Sequence, residues 1–337
     1  VEIAYIGTDN GLEAKIVPKE EHIQFFTVEI QGFKRSLSLE NVTTIRKFIS
    51  AVKKSKEYIR SFQPDVVIGT GGYVSGPAVF AAYRLGYPTF IHEQNVVLGL
   101  TTKFLSRFVD TVGISFEESS AYLTHAKRVV VTGNPRATEV VQANPKAGRS
   151  SLGITDDQAD IILIFGGSRG AKAINQAVLE MLPAIQANPQ IHFVYVTGEV
   201  HYQEVLQQIH GAEYPNLHVQ PFLYNMPDVL AASSLVIARA GASTLAEITA
   251  LGLPSILIPS PYVTNNHQEA NGRALEKAGA AFTLLESECT GQALTQLIER
   301  FFVNPDLRSR MGEAAKKLGQ PHSAQIIVEE LERIVAR

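Results

Sequence analysis

Cysteine is almost absent: Cys289 stands alone among 337 residues, and tryptophan is missing altogether. One thiol rules out a disulfide framework and any cysteine-built metal cluster, and it fits a reducing compartment. Long apolar runs are lacking too, with no stretch of about 18 residues that could span a bilayer as a helix. Charge of either sign barely predominates. Thirty basic against 33 acidic side chains leave a formal net charge of −3, so no global field draws the chain to nucleic acid. No Asp-x-Asp pair is present to suggest a metal-dependent transfer, and no cofactor is implied. The opening Val1-Glu2-Ile3-Ala4-Tyr5-Ile6-Gly7 has neither a signal peptide nor an initiator methionine. It reads as a strand entered within a protein, so the expectation is a chain without its natural beginning.

What the sequence does have is the composition of a globular protein, 45% hydrophobic and 19% charged. Its length exceeds what one hydrophobic core usually serves, which argues for two domains. Short apolar runs recur at 1–6, 22–29, 65–69, 88–92, 111–114 and 128–132, then at 161–165, 191–197, 216–222, 235–239, 254–259 and 280–285. Helical patterns separate them at 42–61, 76–85, 171–186, 199–210, 243–251, 267–278 and 291–302, and a last amphipathic helix runs from Ser323 to Val335. That alternation predicts parallel sheets with crossover helices. The polar segment 142–151 reads as the linker.

Two glycine-rich turns carry the first chemical signal. Gly69-Thr70-Gly71-Gly72-Tyr73-Val74-Ser75-Gly76 and Gly166-Gly167-Ser168-Arg169-Gly170-Ala171 each follow an apolar strand and precede a helix. Glycine lets the backbone turn sharply and approach a ligand, and the helix aims free N–H groups and its positive dipole end at an anion. Phosphate is the usual occupant; a plain strand-to-helix turn is the alternative. In the second half, the Ser168 hydroxyl and the N–H groups of Gly167 and Gly170 suit a diphosphate.

Further on, Ala240-Gly241-Ala242-Ser243-Thr244-Leu245-Ala246-Glu247 ends a strand and opens a helix, with Ser243 expected as the N-cap. The Glu247 carboxylate could accept from two vicinal hydroxyls of a ribose, or else interact with the dipole of its own helix. After the strand at 254–259, Asn265-Asn266-His267-Gln268 gathers amides suited to sugar hydroxyls, with His267 read as a helix-terminus residue or a ligand.

Together with Gly252-Leu253-Pro254, these residues resemble the nucleotide-sugar half of a GT-B glycosyltransferase. In the first half, Gly7-Thr8-Asp9-Asn10-Gly11-Leu12-Glu13, the 69–77 turn, His92-Glu93-Gln94-Asn95 and Thr132-Gly133-Asn134-Pro135 resemble the MurG family, glycosyltransferase family 28. The likeness covers essentially the whole chain. It implies a doubly wound α/β architecture, GT-B, with two Rossmann-like parallel-sheet domains facing across a cleft. The implied domains are 1–135 with 322–337 on the acceptor and membrane side, and 136–321 for the UDP-sugar. The implied reaction is inverting transfer of N-acetylglucosamine from UDP-N-acetylglucosamine to undecaprenyl-diphosphate-linked muramoyl-pentapeptide, lipid I to lipid II. The implied location is peripheral, at the cytoplasmic face of the bacterial membrane.

The resemblance also implies residue roles. Backbone groups around Phe222 and Leu223 would hold uracil, Glu247 the ribose, and Ser168 with its loop the diphosphate. Gln268, with His267, would meet the sugar hydroxyls, and Ser243 and Thr244 would flank the donor. Arg136 would offset phosphate charge, Asn95 would reach the donor sugar from the first domain, and Gly71, Gly72 and Ser75 would line the acceptor side. The sequence departs from the family in having no first strand and no Gly-Gly-Thr-Gly-Gly-His-type loop, where the family's candidate base lies. Strands 1–6 and 65–69 are therefore expected to lack a shared neighbour, and the chain as written to transfer poorly.

The segment 33–60 sets Lys34, Arg35, Arg46, Lys47, Lys53, Lys54, Lys56 and Arg60 against only Glu40 and Glu57, among Phe33, Leu37, Leu39, Ile45, Phe48 and Ile49. Two readings stand: a basic rim around apolar residues that docks on an anionic bilayer, or an amphipathic helix with its apolar face on the sheet. Two alternatives to the transferase also stand. One is another UDP-sugar enzyme on the same fold, a glycolipid synthase or a UDP-N-acetylglucosamine 2-epimerase; the other is a non-catalytic UDP-sugar-binding fragment.

Overall fold

The computed structural model describes residues 1–32, 40–209 and 214–336. The chain divides into two compact units, Val1–Thr132 with Gln325–Arg337 and Gly133–Ala324.

In the first unit, β1 (Ile3–Gly7) pairs in parallel with β2 (Ile23–Thr27). A separate parallel sheet runs in sequence order through β3 (Val67–Gly69), β4 (Thr89–Glu93), β5 (Thr111–Ile114) and β6 (Val129–Val131). Among the described residues no strand joins β1 to β3. Strands β4 and β5 are buried along their full length, and their apolar residues Ile91, Val112 and Ile114 pack with Val79 and Leu105 from flanking helices.

The second unit is one six-stranded parallel sheet made of β7 (Asp160–Phe165), β8 (Ile191–Val196), β9 (Leu217–Gln220), β10 (Leu235–Ala238), β11 (Ser255–Leu257) and β12 (Ala281–Thr283). The spatial order is β9-β8-β7-β10-β11-β12, the doubly wound arrangement in which strand order reverses between β7 and β10. Runs such as Ile161-Ile162-Leu163-Ile164 are apolar without alternation because both faces are covered: all four side chains are fully buried.

Among the described residues the twelve strands lie where the apolar runs predict them. The linker expected at 142–151 is instead the helix Pro145–Ser151. Asn144 caps it by accepting from Lys146 N and Ala147 N, and Pro145 stands at the first helical position, so the polar composition is that of a helix start. The helical pattern at 171–186 is two helices, Lys172–Glu180 and Leu182–Ala187, interrupted at Met181 ahead of Pro183. The helix Pro305–Leu318 went unread in the sequence despite its Asn304 cap and its buried Met311 and Ala315.

The helix Ser323–Val335 crosses to the first unit, where Glu330 anchors it. Glu330 accepts from Arg128 Nε (3.0 Å) and Nη2 (2.7 Å) and from Arg333 Nε (2.9 Å), and Arg333 also donates to Thr111 Oγ1 (2.8 Å). Hydrogen bonds from Arg128 hold the Glu330 carboxyl below the usual carboxylate range. A depressed pKa contributes stability above the unfolded value, and that stability is lost as pH falls through the folded one. Glu330→Gln is therefore expected to destabilise the protein by about 1–3 kcal/mol at neutral pH, with the deficit shrinking on acidification. Urea unfolding of both proteins at about pH 7 and about pH 4 checks this.

Candidate functional site

Parallel strands end together, so the loops after them collect at one edge, and the crevice where strand order reverses is the natural ligand site. In the second unit that point lies between β7 and β10, whose last residues, Phe165 and Ala238, are register partners. The 166–171 turn and the Arg239-Ala240-Gly241 turn thus leave the sheet side by side.

The 166–171 turn is tight by necessity. Gly167 and Gly170 have φ of +90° and +73°. A Cβ on Gly170 would sit 2.1 Å from the Thr197 carbonyl oxygen, whereas one on Gly167 would meet nothing within 4 Å. One side of the loop is pressed against the end of β8 and the other is open. Ser168 is exposed on the open side. The following helix, Lys172–Glu180, has no side-chain cap, and Asn175 ties its first turn to the Thr197 carbonyl at 3.1 Å.

The helix Ala242–Leu251 is capped by Gly241 with no side-chain hydrogen bond. This corrects the expected cap: Ser243 lies inside the first turn, exposed, with Thr244 half-buried beside it. Among the described residues the first-turn N–H groups therefore have no side-chain acceptor.

Glu247 points elsewhere than at its own helix terminus. It is 8% exposed, and its Oε1 accepts from Arg136 Nε (2.9 Å) and Nη2 (2.7 Å). Oε2 accepts no hydrogen bond among the described residues. Burial outweighs the guanidinium and raises the Glu247 carboxyl above its ordinary value. Arg136 is paired as well with Glu139. Two of its guanidinium nitrogens thus meet one oxygen of Glu247.

Beyond β11, Gln268 Oε1 accepts from Ser260 N at 2.9 Å, which leaves its amide N–H groups for other partners. His267 opens the helix His267–Lys277, and its Nδ1 lies 2.8 Å from the Thr264 carbonyl. A carbonyl only accepts, so Nδ1 is the donor in this contact, which leaves Nε2 directed elsewhere. Asn265 and Asn266 both adopt left-handed backbone, φ +59° and +49°, to turn the chain into that helix. Beyond β9, Leu223 buries its side chain, and Phe222 stacks edge-on against Tyr224 at 5.0 Å.

One residue escaped the sequence reading. Arg239, a cation at the end of the apolar run Leu235-Val236-Ile237-Ala238, donates to the carbonyls of Ile258 (3.1 Å) and Pro259 (3.2 Å) and pairs with Glu286. It fixes the end of β11, from which the Gln268 loop departs. A charge that closes a buried strand was the available signal.

The remaining candidates belong to the first unit, at the ends of the adjacent strands β3 and β4. Gly71 and Gly72 take φ of +93° and +72° at the uncapped start of the helix Gly72–Leu85. Ser75 donates to the Gly72 carbonyl at 3.0 Å. Asn95 follows β4, its backbone N–H 3.2 Å from Glu93 Oε1.

Within the helix Glu40–Phe62, the buried stripe is Thr44, Ala51, Ser55 and Ile59, while Val42, Ile45 and Ile49 are about half or more exposed, at 50%, 49% and 63%. An ordinary amphipathic helix would show the reverse. Phe48 meets Phe104 edge-on at 5.9 Å, which extends the exposed ridge to Leu100 and Phe104. Lys53 and Lys54 are exposed, Lys54 over the Tyr58 ring at 5.6 Å, Lys56 is half-buried, and Lys47 pairs with Glu29. The expectations for Phe33, Lys34, Arg35, Leu37 and Leu39 lie outside the described residues, as does the side chain of Glu40. Among the described residues no helix is long and apolar enough to cross a membrane.

Comparison with known proteins assigns both halves. The glycosyltransferase family 28 N-terminal domain matches residues 1–114, and the family 28 C-terminal domain matches residues 161–327. A curated relative from Halalkalibacterium halodurans is 54% identical over 326 residues, 96% of this chain and 89% of that protein. It is named a UDP-N-acetylglucosamine--N-acetylmuramyl-(pentapeptide) pyrophosphoryl-undecaprenol N-acetylglucosamine transferase. The crystal structure of Acinetobacter baumannii MurG superposes with a TM-score of 0.78 at 28% identity, covering 98% of this chain and 91% of that one. A UDP-GlcNAc 2-epimerase from Neisseria meningitidis shares the fold alone, with a TM-score of 0.69 at 15% identity over 98% of this chain and 91% of that one. The chain belongs to glycosyltransferase family 28 and has its GT-B fold.

Proposed function

We propose that this protein transfers N-acetylglucosamine from UDP-N-acetylglucosamine to the 4-hydroxyl of undecaprenyl-diphosphate-linked N-acetylmuramoyl-pentapeptide. The product is lipid II. The observation that carries this reading is the switch point of the second unit. There an open glycine turn, two uncapped helix N-termini and a buried carboxylate with one unused oxygen lie at one sheet edge.

The donor lies along that edge. N–H groups of the 167–170 turn and the Ser168 hydroxyl hold the diphosphate, Glu247 Oε2 accepts from a ribose hydroxyl, and the backbone at Phe222 and Leu223 meets the uracil. The amide of Gln268 and Nε2 of His267 face the sugar hydroxyls, with Ser243 and Thr244 at the start of the helix beside them. In the first unit, the uncapped turn at Gly71, Gly72 and Ser75 and the loop carrying Asn95 serve the acceptor and the reacting sugar.

The reaction is a single displacement. The acceptor oxygen forms a bond to the anomeric carbon as the bond to the β-phosphate oxygen breaks, with inversion. The acceptor hydroxyl gives up its proton and UDP departs as the anion. Negative charge that builds on the leaving diphosphate is stabilised by N–H dipoles already oriented by the fold, which need no reorganisation.

The exposed ridge of Val42, Ile45, Ile49, Leu100 and Phe104, with Lys53 and Lys54, binds the anionic cytoplasmic face of the membrane. A lipid-linked acceptor is then met without leaving its bilayer.

Glu247→Ala is expected to weaken UDP and the full donor alike, by about 1–3 kcal/mol, because the lost hydrogen bonds are to the nucleoside. Calorimetry with both ligands measures it; unchanged UDP affinity would leave Glu247 as no more than a partner of Arg136. Stability gives a second readout. A carboxyl whose pKa is raised on folding stabilises the protein below its unfolded pKa, and that contribution is lost as pH rises through the folded one. The stability of wild type relative to Glu247→Gln should therefore fall as pH rises above the ordinary carboxylate range.

For the membrane face, Lys53→Glu with Lys54→Glu should weaken binding to anionic vesicles by at least about 1 kcal/mol per position and leave donor affinity unchanged. Vesicle sedimentation decides, and equal binding by the variant would make the ridge an ordinary solvated surface.

A further inference from the structure

Glu93 closes β4 with a carboxylate turned into the loop that follows, where, besides three main-chain N–H groups, the Asn95 side-chain amide Nδ2 donates to Oε1 at 3.5 Å. Glu93 is 6% exposed. Oε1 accepts from Gln94 N at 3.1 Å and Asn95 N at 3.2 Å, and Oε2 accepts from Gly99 N at 3.0 Å. From the opposite side comes Ser119, fully buried in the short turn Glu117–Tyr122 after β5. Its Oγ lies 3.0 Å from the Asn95 carbonyl oxygen and 3.1 Å from that of Val96, so one hydroxyl proton is shared between two acceptors. Between β4 and the helix Leu100–Leu105, the chain has no regular secondary structure of its own to satisfy these groups. The two side chains take the place of a ladder: one supplies acceptors for three N–H groups, the other a donor for two carbonyls.

We infer that Glu93 and Ser119 are positioning residues that hold the 94–99 loop, and Asn95 with it, in the conformation used for transfer. The inference rests on the proposed function, since it takes Asn95 as a group that meets substrate. A carboxylate at the end of a strand invites a different assignment, that of general base to the acceptor hydroxyl. The geometry argues against it, because both oxygens are committed to amides of the 94–99 loop, three of the main chain and that of the Asn95 side chain, which a base would have to give up. Gln at position 93 keeps one carbonyl acceptor but turns an NH₂ toward an amide N–H, so part of the clamp becomes repulsive. Ala at position 119 removes the donor without touching any ionisable group. The two substitutions therefore act on one loop by unrelated chemistry.

The test uses Glu93→Gln, Ser119→Ala and the double variant of the full chain. Hydrogen–deuterium exchange over 94–99 is measured beside steady-state transfer from UDP-N-acetylglucosamine to a lipid I analogue. Both single variants should exchange faster over 94–99 with unchanged protection in β7–β12. Both should lose roughly 10- to 100-fold in kcat, the cost of a misplaced group, while KM for the donor and the acid limb of the pH–kcat profile stay as in wild type. The double variant should lose less than the product of the two, since both act on the same loop. Two results would overturn the inference. One is Glu93→Gln abolishing transfer along with the acid limb while Ser119→Ala matches wild type, which would make Glu93 a base. The other is unaltered exchange over 94–99 in both variants, which would mean the loop needs no clamp. The exchange arm does not depend on catalysis. Absence of transfer by the wild-type protein would count against the proposed function, and exchange would still decide the loop.

Discussion

A parallel sheet imposes one constraint on everything attached to it: all strands finish at the same edge. In the second unit six strands do so, and the loops after β7, β9, β10 and β11 bring together residues that span positions 166 to 268. Nothing in the local sequence makes Ser168 a neighbour of Gly241; the hydrogen-bond register of β7 against β10 does. The open turn, the uncapped helix starts and the buried carboxylate are thus consequences of topology filled in with suitable residues.

Much of this was legible because parallel sheets buried on both faces give unbroken apolar runs. Ile161–Phe165 and Leu235–Ala238 could hardly be anything else. The glycine turns were legible because only glycine takes φ near +90° in such a turn without strain, as at Gly167. Partnerships were not legible. Arg136 and Glu247 lie 111 positions apart, and no local pattern pairs them. Ser243 was misplaced as a cap because a hydroxyl near a helix start fits that role from sequence alone, whereas Gly241 takes the position. Residues 142–151 read as a linker because a cap, a proline and small polar side chains describe a short helix start as well as a loop. The exposed ridge at Ile45 and Ile49 was undecided, since periodicity reports that a helix has an apolar stripe but not which stripe is covered.

Charged groups recur at the places where the backbone leaves regular structure. Glu93, Arg239 and Glu330 are each largely buried and each holds something that secondary structure does not: a loop, a strand end, and a helix from the far end of the chain. Ionised groups make stronger hydrogen bonds than neutral ones, and they leave a costly vacancy when removed. They suit loops that must keep one shape without a ladder.

The first unit is assembled from two stretches of chain, with the whole of the second unit inserted between Thr132 and Gln325. In an unfolded chain, bringing those stretches together means closing a loop of about 190 residues, at a cost that grows with the logarithm of its length. The second unit ties its own ends. Ala324 N donates to Thr138 Oγ1 at 3.1 Å, and Gly133 is so close to Gln320 and Ser323 that a Cβ would lie 2.4 Å from each side chain. Once that unit has formed, the two stretches start from neighbouring points and the long loop is already closed. The chain's route thus makes the contiguous unit a staple: with it formed, placing the helix Ser323–Val335 on the divided unit carries a far smaller loop-closure cost.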